Sequence, residues 1–208
     1  MSESFPRRVW RVARHEGWRS FFVRSVAAFG YRRLILLQRS LNEPFPELRA
    51  SLPLVIDWLD SEAEADYKEL VYGTPDGKVA DRLQQGDRCL TARVDGKLAA
   101  VMWASTGSAR LGFLDLRMPL EPGDVYLNGA FTSPAFRGHS IAPVLSVEML
   151  RRFHESGFQR AVRATVPGNE PALRAHAKAG FAPYAVIGRF KLGSWRRDFC
   201  RPWKTAKE

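Results

Sequence analysis

The residues best placed to do chemistry are Phe136-Arg137-Gly138-His139-Ser140-Ile141-Ala142, where two basic side chains are interleaved with small residues. Upstream, Asp124 to Thr132 reads as a strand, with Val125, Leu127 and Phe131 among its apolar residues. Downstream, Ile141, Leu145, Met149 and Phe153 recur at every fourth position, which predicts a helix with one apolar face. Pro143 falls in the first turn, where a missing N–H costs nothing. A helix entered this way presents N–H groups without internal partners and the positive end of its dipole, to which Arg137 and His139 add donors. That chemistry predicts a site for phosphate or pyrophosphate.

A second strand and helix follow at once. Arg160 to Val166 reads as a strand, Asn169 is placed to cap a short helix, Pro171 lies in its first turn, and Gly180 ends it. Consecutive strand–helix units of this kind form neighbouring parallel or near-parallel strands.

Together these segments resemble the GNAT N-acetyltransferase superfamily. Its acyl-CoA motif, Arg/Gln-x-x-Gly-x-Gly/Ala, aligns with Arg137 to Ala142, and its second motif aligns with Asn169 through Gly180-Phe181. The resemblance covers residues 50–200 and implies acetyl-CoA as cosubstrate, with no metal. It implies that backbone N–H groups of Gly138, His139, Ser140, Ile141 and Ala142 hold the CoA pyrophosphate, with Arg137 and Asn169 in the same site. It also implies that the strand edge at Ala130, Phe131 and Thr132 pairs with the pantetheine arm.

The chain departs from the family pattern twice. Ser140 stands where Gly is usual, so its side chain either donates a hydroxyl to the phosphates or crowds them. His176 stands where Tyr or Phe is common. Members with Tyr often use it as general acid for the departing CoA thiolate, and an imidazole titrating near neutrality can do the same. The alternative is that His176 packs on its helix and merely contacts the cofactor.

Acyl transfer also needs an acceptor for the amine proton. The strand before the basic loop contains Asn128 but no carboxylate between Val125 and Thr132. Asn128 is a candidate to position substrate or water, or else an ordinary satisfied strand polar group. Asp115, read as mid-strand and alternating with Leu114 and Leu116, is a candidate base or simply an exposed polar residue. A water connected to bulk solvent is the remaining choice.

The elements that position these residues are legible at lower resolution. Leu52 to Leu59 reads as a buried first strand of the domain, followed by helices over Ser61–Tyr72 and Asp76–Gln85. Arg88–Val94 and Lys97–Ala104 flank Asp95-Gly96, the strongest short-range hairpin signal. Trp103 on that hairpin reads as a core aromatic or a wall of the acceptor pocket. Leu111–Met118 and Ala182–Leu192 read as further strands, with a short edge strand at Trp195–Cys200. The expected fold is α+β, a GNAT-like mixed, mainly antiparallel central sheet flanked by helices.

Composition bounds the rest. The chain has 208 residues, 45% hydrophobic, which suffices for one domain plus an extension. Cys89 and Cys200 lie on separate strand-like segments without metal or redox spacing, which fits a reducing cytoplasm. No apolar run approaches the length of a membrane span. The net charge is +10, and residues 1–40 hold nine arginines against Glu3 and Glu16. Residues 5–29 pattern as a basic, aromatic-bearing pair of amphipathic helices. We therefore divide the chain into a basic amphipathic helical extension (1–41), a linker containing Pro44 and Pro46 (42–51) and an acyltransferase domain (52–208). The extension is expected to pack on the domain or in a homodimer, to lie on the inner face of an anionic membrane, or to target the chain.

The leading functional expectation is acetyl transfer from acetyl-CoA to a primary amine of a small molecule, an amino sugar or amino acid among the options. The alternatives are N-acyl transfer from a longer acyl-CoA or acyl-carrier protein, and a non-catalytic protein on the same scaffold that binds membrane or nucleic acid. Nucleic acid is the weakest of these partners.

Overall fold

The computed structural model describes residues 30–59, 66–67, 70–71 and 79–204. In chain order, the strands up to the basic loop are β1 (Tyr31–Ser40), β2 (Val55–Trp58), β3 (Arg88–Val94), β4 (Lys97–Ser105), β5 (Ser108–Leu111), β6 (Leu116–Pro119) and β7 (Asp124–Thr132). Helix α1 (Val79–Gln84) precedes β3. After the loop come α2 (Ile141–Glu155), β8 (Arg160–Thr165), α3 (Glu170–Lys178), β9 (Ala182–Leu192) and β10 (Trp195–Pro202). The fold is mixed α+β with mainly antiparallel strands, as expected. It divides into two compact units, one of residues 39–109 and 118–162, the other of the described residues 30–38, 110–117 and 163–204.

In the first unit β2, β3, β4 and β7 pair antiparallel in that order. Asp95 and Gly96 both take positive φ, 47° and 75°, which gives the β3–β4 turn a twist that matches its strands. Past β4 the pairing of β7 slips between Val101 and Trp103, because Gly129 and Ala130 both oppose Met102. Gly129 takes φ 56° at this bulge. On its other side β7 pairs in parallel with β8 over Asp124–Tyr126 against Arg160–Val162, and that pairing stops there. Helix α2 packs on β3, β4 and β7. Its predicted apolar face is the buried one, since Ile141, Leu145, Met149 and Phe153 are all at most 3% exposed.

In the second unit β1 pairs antiparallel with β9, and β9 with β10. Leu34 to Leu37 of β1 are four consecutive buried residues, the pattern of a strand covered on both faces. Charge alone groups residues 31–40 with the extension, and the structure corrects that grouping. The arginines flank a short apolar core that is sufficient for a strand. The helical readings over 5–29 fall outside the described residues, as do most of Ser61–Tyr72 and the start of Asp76–Gln85.

Two further expectations are corrected. Leu52–Leu59 is not a buried strand: only Val55–Trp58 pair, and Val55 is 70% exposed. Leu111–Met118 is not one strand. It breaks into the end of β5, a 3₁₀ turn over Gly112–Leu114 and the start of β6, with Asp115 in the left-handed region at φ 52°. The expected linker has no regular structure, yet it is fastened: Arg39 Nη2 donates to the Pro44 carbonyl at 2.7 Å.

Candidate functional site

The loop from Ser133 to Ser140 carries the site in the first unit. β7 runs into a 3₁₀ turn over Pro134–Phe136, and the chain then enters α2 through Gly138 at φ 87° and Ser140 at φ 59°, ψ 19°. Ser140 is the helix N-cap, but it sits in the left-handed region, so its side chain does not cap the helix. Non-glycine residues there cost roughly 1–2 kcal/mol. A glycine at this position would be free of that strain. Ser140 keeps the conformation and accepts the penalty.

The consequence is an uncapped helix end. Among the described residues no hydrogen bond uses the backbone N–H of Gly138, His139, Ser140, Ile141 or Ala142. No acidic side chain lies in the first turn of α2. Gly138 is exposed, and a Cβ there would meet nothing within 4 Å, so the loop is open to solvent at that residue. The loop is held from both sides. Arg137 Nε donates to the Thr132 carbonyl at 3.2 Å, while Ser51 N donates to the His139 carbonyl and Ser51 Oγ lies 2.7 Å from His139 Nδ1. A cluster of five free N–H donors at the positive end of a fifteen-residue helix fits a diphosphate.

Beside this loop the other side of β7 offers a strand edge. Pairing with β8 ends at Tyr126, so Leu127 to Thr132 have no strand on that side among the described residues. Ala130 is exposed, and Phe131 and Thr132 are half-buried. An extended chain with amide groups can pair along that edge. The residues present therefore fit the phosphates and the amide-bearing arm of CoA.

Asn128 is already engaged. Its Nδ2 donates to Ser105 Oγ at 3.1 Å and to the Tyr126 carbonyl at 3.4 Å, and its Oδ1 accepts from Arg82 Nη2 at 2.7 Å. Both amide atoms are thus engaged within the protein, the arrangement of a satisfied strand polar group. Arg82 is the residue that sequence reasoning missed. It also binds Asp87 through Nε at 2.8 Å and lies 4.0 Å over the Trp103 ring. Trp103 is fully buried and donates from Nε1 to Tyr67 Oη at 2.9 Å, so it is core. A Cβ on Gly129 would come within 3.0 Å of Trp103 and 3.5 Å of Arg82 Nη1. Arg82 thus clamps α1, Asn128 and Trp103 around the bulge. Nothing in the sequence distinguishes it from other helix-surface arginines.

The remaining candidates belong to the second unit. Asn169 accepts from Ala172 N through Oδ1 at 3.3 Å and caps α3. His176 lies near the end of α3, with Arg163 Nη1 donating to its Nδ1 at 2.9 Å, which leaves the ring proton on Nε2. Burial and the Arg163 charge push its pKa down to about 3. The ring is therefore neutral at physiological pH, with Nε2–H as its one donor, and its contact with Arg163 fits the packing alternative. Arg163 precedes it by thirteen residues on another element, and no local pattern gives the pairing away. Asp115 is corrected as a mid-strand residue. Its side chain is 92% exposed, 3.6 Å from Arg189, in a turn. Cys89, raised to about 12 by burial, is inert. Among the described residues no cluster of His, Cys, Asp and Glu has the makings of a metal site, and no helix is long and apolar enough to cross a membrane.

Known proteins resemble this chain along most of its length. A model of the acetyltransferase (GNAT) family matches residues 41–181. Among solved structures, a GNAT-family protein of Novosphingobium aromaticivorans is similar with a TM-score of 0.55 at 20% identity, covering 76% of this chain and 65% of its own. A GCN5-related N-acetyltransferase of Sphaerobacter thermophilus gives 0.55 at 13% identity, covering 88% of this chain and 56% of that one. A GNAT-family acetyltransferase of Colwellia psychrerythraea gives 0.55 at 15% identity, with 81% and 61% covered. This chain therefore spans roughly three-fifths of each of those proteins, and at such identities the likeness concerns the fold.

Proposed function

Because the chain belongs to the GNAT acetyltransferase family, we propose that it transfers the acetyl group of acetyl-CoA to a primary amine of a small molecule by direct attack on the thioester. The observation that carries this reading is the open N-terminus of α2 beside a free strand edge. Five unengaged backbone donors and Arg137 meet the phosphates, and Leu127 to Thr132 meet the amide-bearing arm. Bound acetyl-CoA supplies an activated acyl carbon. The neutral amine attacks it, the C–N bond forms, the C–S bond breaks, and the amine proton passes to water as the thiolate departs.

The chain's own contribution is positioning. The Arg82 clamp fixes the bulge at Gly129–Ala130, in the middle of the free strand edge. Water takes the amine proton in this reading, because Asn128 has no basic group, Asp115 is solvent-exposed beside Arg189, and His176 is tied to Arg163. A CoA thiolate has an ordinary thiol pKa of about 8.5, so it leaves without a dedicated acid.

The test is an acetyl-transfer assay of the purified protein with acetyl-CoA and a panel of amino sugars, amino acids and polyamines, following free thiol. The reading expects turnover with at least one amine, rising with pH until the amine itself is deprotonated. Faster turnover with long acyl-CoA donors would replace acetyl transfer by N-acyl transfer. Absence of any acetyl-CoA binding would remove the enzymatic reading.

A further inference from the structure

The hairpin of β9 and β10 is unlike the rest of the surface. Its two-residue turn is Gly193-Ser194, with Gly193 at φ 59°, and the register sets Leu192 opposite Trp195 and Lys191 opposite Arg196. Because side chains alternate between faces, Leu192, Phe190, Trp195 and Arg197 share one face while Lys191, Arg189, Arg196 and Asp198 share the other. On the first face Leu192 is 68% exposed and Trp195 54%, and the Trp195 ring packs against Phe190 at 5.7 Å. Large apolar side chains at a hairpin tip lose free energy by standing in water, and nothing among the described residues covers them.

The second face borders a cavity of about 840 Å³, lined by Arg32, Arg189, Lys191 and Arg196 with Leu114 and Asp115. That wall carries four cations and one carboxylate. Arg189 is engaged by Asp198 through a two-pronged contact at 2.7 and 3.0 Å, and Arg32 donates to the Phe113 carbonyl. No side-chain hydrogen bond or ion pair within 4 Å engages Lys191, Arg196 or Arg197 among the described residues. The pattern is an exposed Leu–Trp pair at a hairpin tip, with Arg197 on its own face and Lys191 and Arg196 on the reverse, where Arg196 also feels the Asp198 carboxylate.

We propose that this hairpin docks on an anionic phospholipid surface. Leu192 and Trp195 enter the boundary between headgroups and acyl chains, where the amphipathic indole is favoured. Lys191, Arg196 and Arg197 meet lipid phosphates, and the cavity behind them admits a headgroup. Charge complementarity selects this occupant over a second copy of the chain, which would set the same three cations against each other. The inference rests on the hairpin alone and is independent of the acyl-transfer reading and of residues 1–29.

The experiment is sedimentation of the full-length protein with vesicles of phosphatidylcholine, alone or containing phosphatidylglycerol. The wild type is expected to bind only the anionic vesicles and to be released as salt rises. Replacing both Lys191→Glu and Arg196→Glu should lower the partition by about 30-fold or more, at roughly tenfold or less per cation removed. Replacing both Leu192→Ser and Trp195→Ser should lower it by about tenfold. Thermal unfolding and acetyl-CoA titration of each variant verify that it is folded. Absence of vesicle binding overturns the proposal, as does vesicle binding that neither pair of substitutions weakens. So does displacement from vesicles by millimolar glycerol phosphate, which would make the cavity a site for a soluble phosphate ester. A drop in hydrodynamic mass of the Leu192/Trp195 variant with unchanged vesicle binding would assign the tip to a second copy and likewise overturn it.

Discussion

Helices α2 and α3 both follow a strand through a glycine-containing turn, and both begin with a proline in the first turn, yet their N-termini are finished in opposite ways. In α3 the cap Asn169 keeps φ −79°, its carboxamide accepts from Ala172 N, and Glu170 adds an acid where the dipole favours one. That helix satisfies itself. In α2 the cap Ser140 is turned into the left-handed region, no side chain accepts from the first turn, and no acid is present. Its donors are left for something brought from outside. The lesson is that a strand–turn–helix unit becomes a ligand site through what it omits. Only the second unit has the residues that a stable, self-contained helix uses.

The comparison can be broken or sharpened by mutation. The largest effect is expected at Arg82, which holds the strand leading to the open end. Arg82→Gln should lower kcat about 100-fold, because misplacement of a reacting group by about 1 Å costs that much, while the KM for acetyl-CoA changes little. Arg82→Lys should recover only part of the rate, since a point charge cannot hold Asp87 and Asn128 together. An equal fall for both variants in stability and in rate would make Arg82 merely structural.

Effects in α3 should fall on stability instead. With its folded pKa near 3 and an ordinary value of 6.5, His176 leaves stability untouched above 6.5. Below that the unfolded chain takes up a proton the folded chain refuses, so stability falls as the pH drops towards 3. For this half-buried ring the loss should reach about 2 kcal/mol by two pH units below 6.5. Chemical denaturation of wild type and His176→Gln between pH 7 and 4.5 should show the variant losing less. An acid limb near neutrality in the rate profile that vanishes in His176→Gln would restore a catalytic role.

Asn169→Ala should cost about 1 kcal/mol as a lost cap and change acetyl-CoA affinity by less than about threefold. A large loss of affinity with unchanged stability would make Asn169 a ligand rather than a cap. The smallest effect is expected for Ser140→Gly, which relieves a left-handed serine and should raise stability by up to about 1 kcal/mol. Acetyl-CoA should bind it at least as well as wild type, because the donors keep their arrangement.

Much of this was legible because it is local. The Asp95-Gly96 turn, the limits of β3, β7 and β9, and the buried face of α2 all follow from neighbouring residues and a fixed period. The fold class and the position of the open loop came with them. What was not legible depends on distant partners or on one backbone angle. Leu34 to Leu37 were hidden among arginines, and a left-handed Asp115 broke a run that reads as a continuous strand. The neutrality of His176 is set by Arg163, and the engagement of Asn128 by Arg82, forty-six residues away. Alternation and propensity carry no record of such pairings.

The most direct test closes the open helix end with charge while leaving its backbone alone. Ser140→Asp sets a carboxylate among the Gly138–Ala142 donors, and like charges about 4–5 Å apart at an effective dielectric near 20 repel by about 3–4 kcal/mol. Calorimetric titration with acetyl-CoA should give micromolar binding for wild type and at least a 100-fold loss for this variant, with thermal stability maintained or raised. Binding of acetyl-CoA to Ser140→Asp as tight as to wild type would contradict the assignment of the α2 N-terminus as the phosphate site.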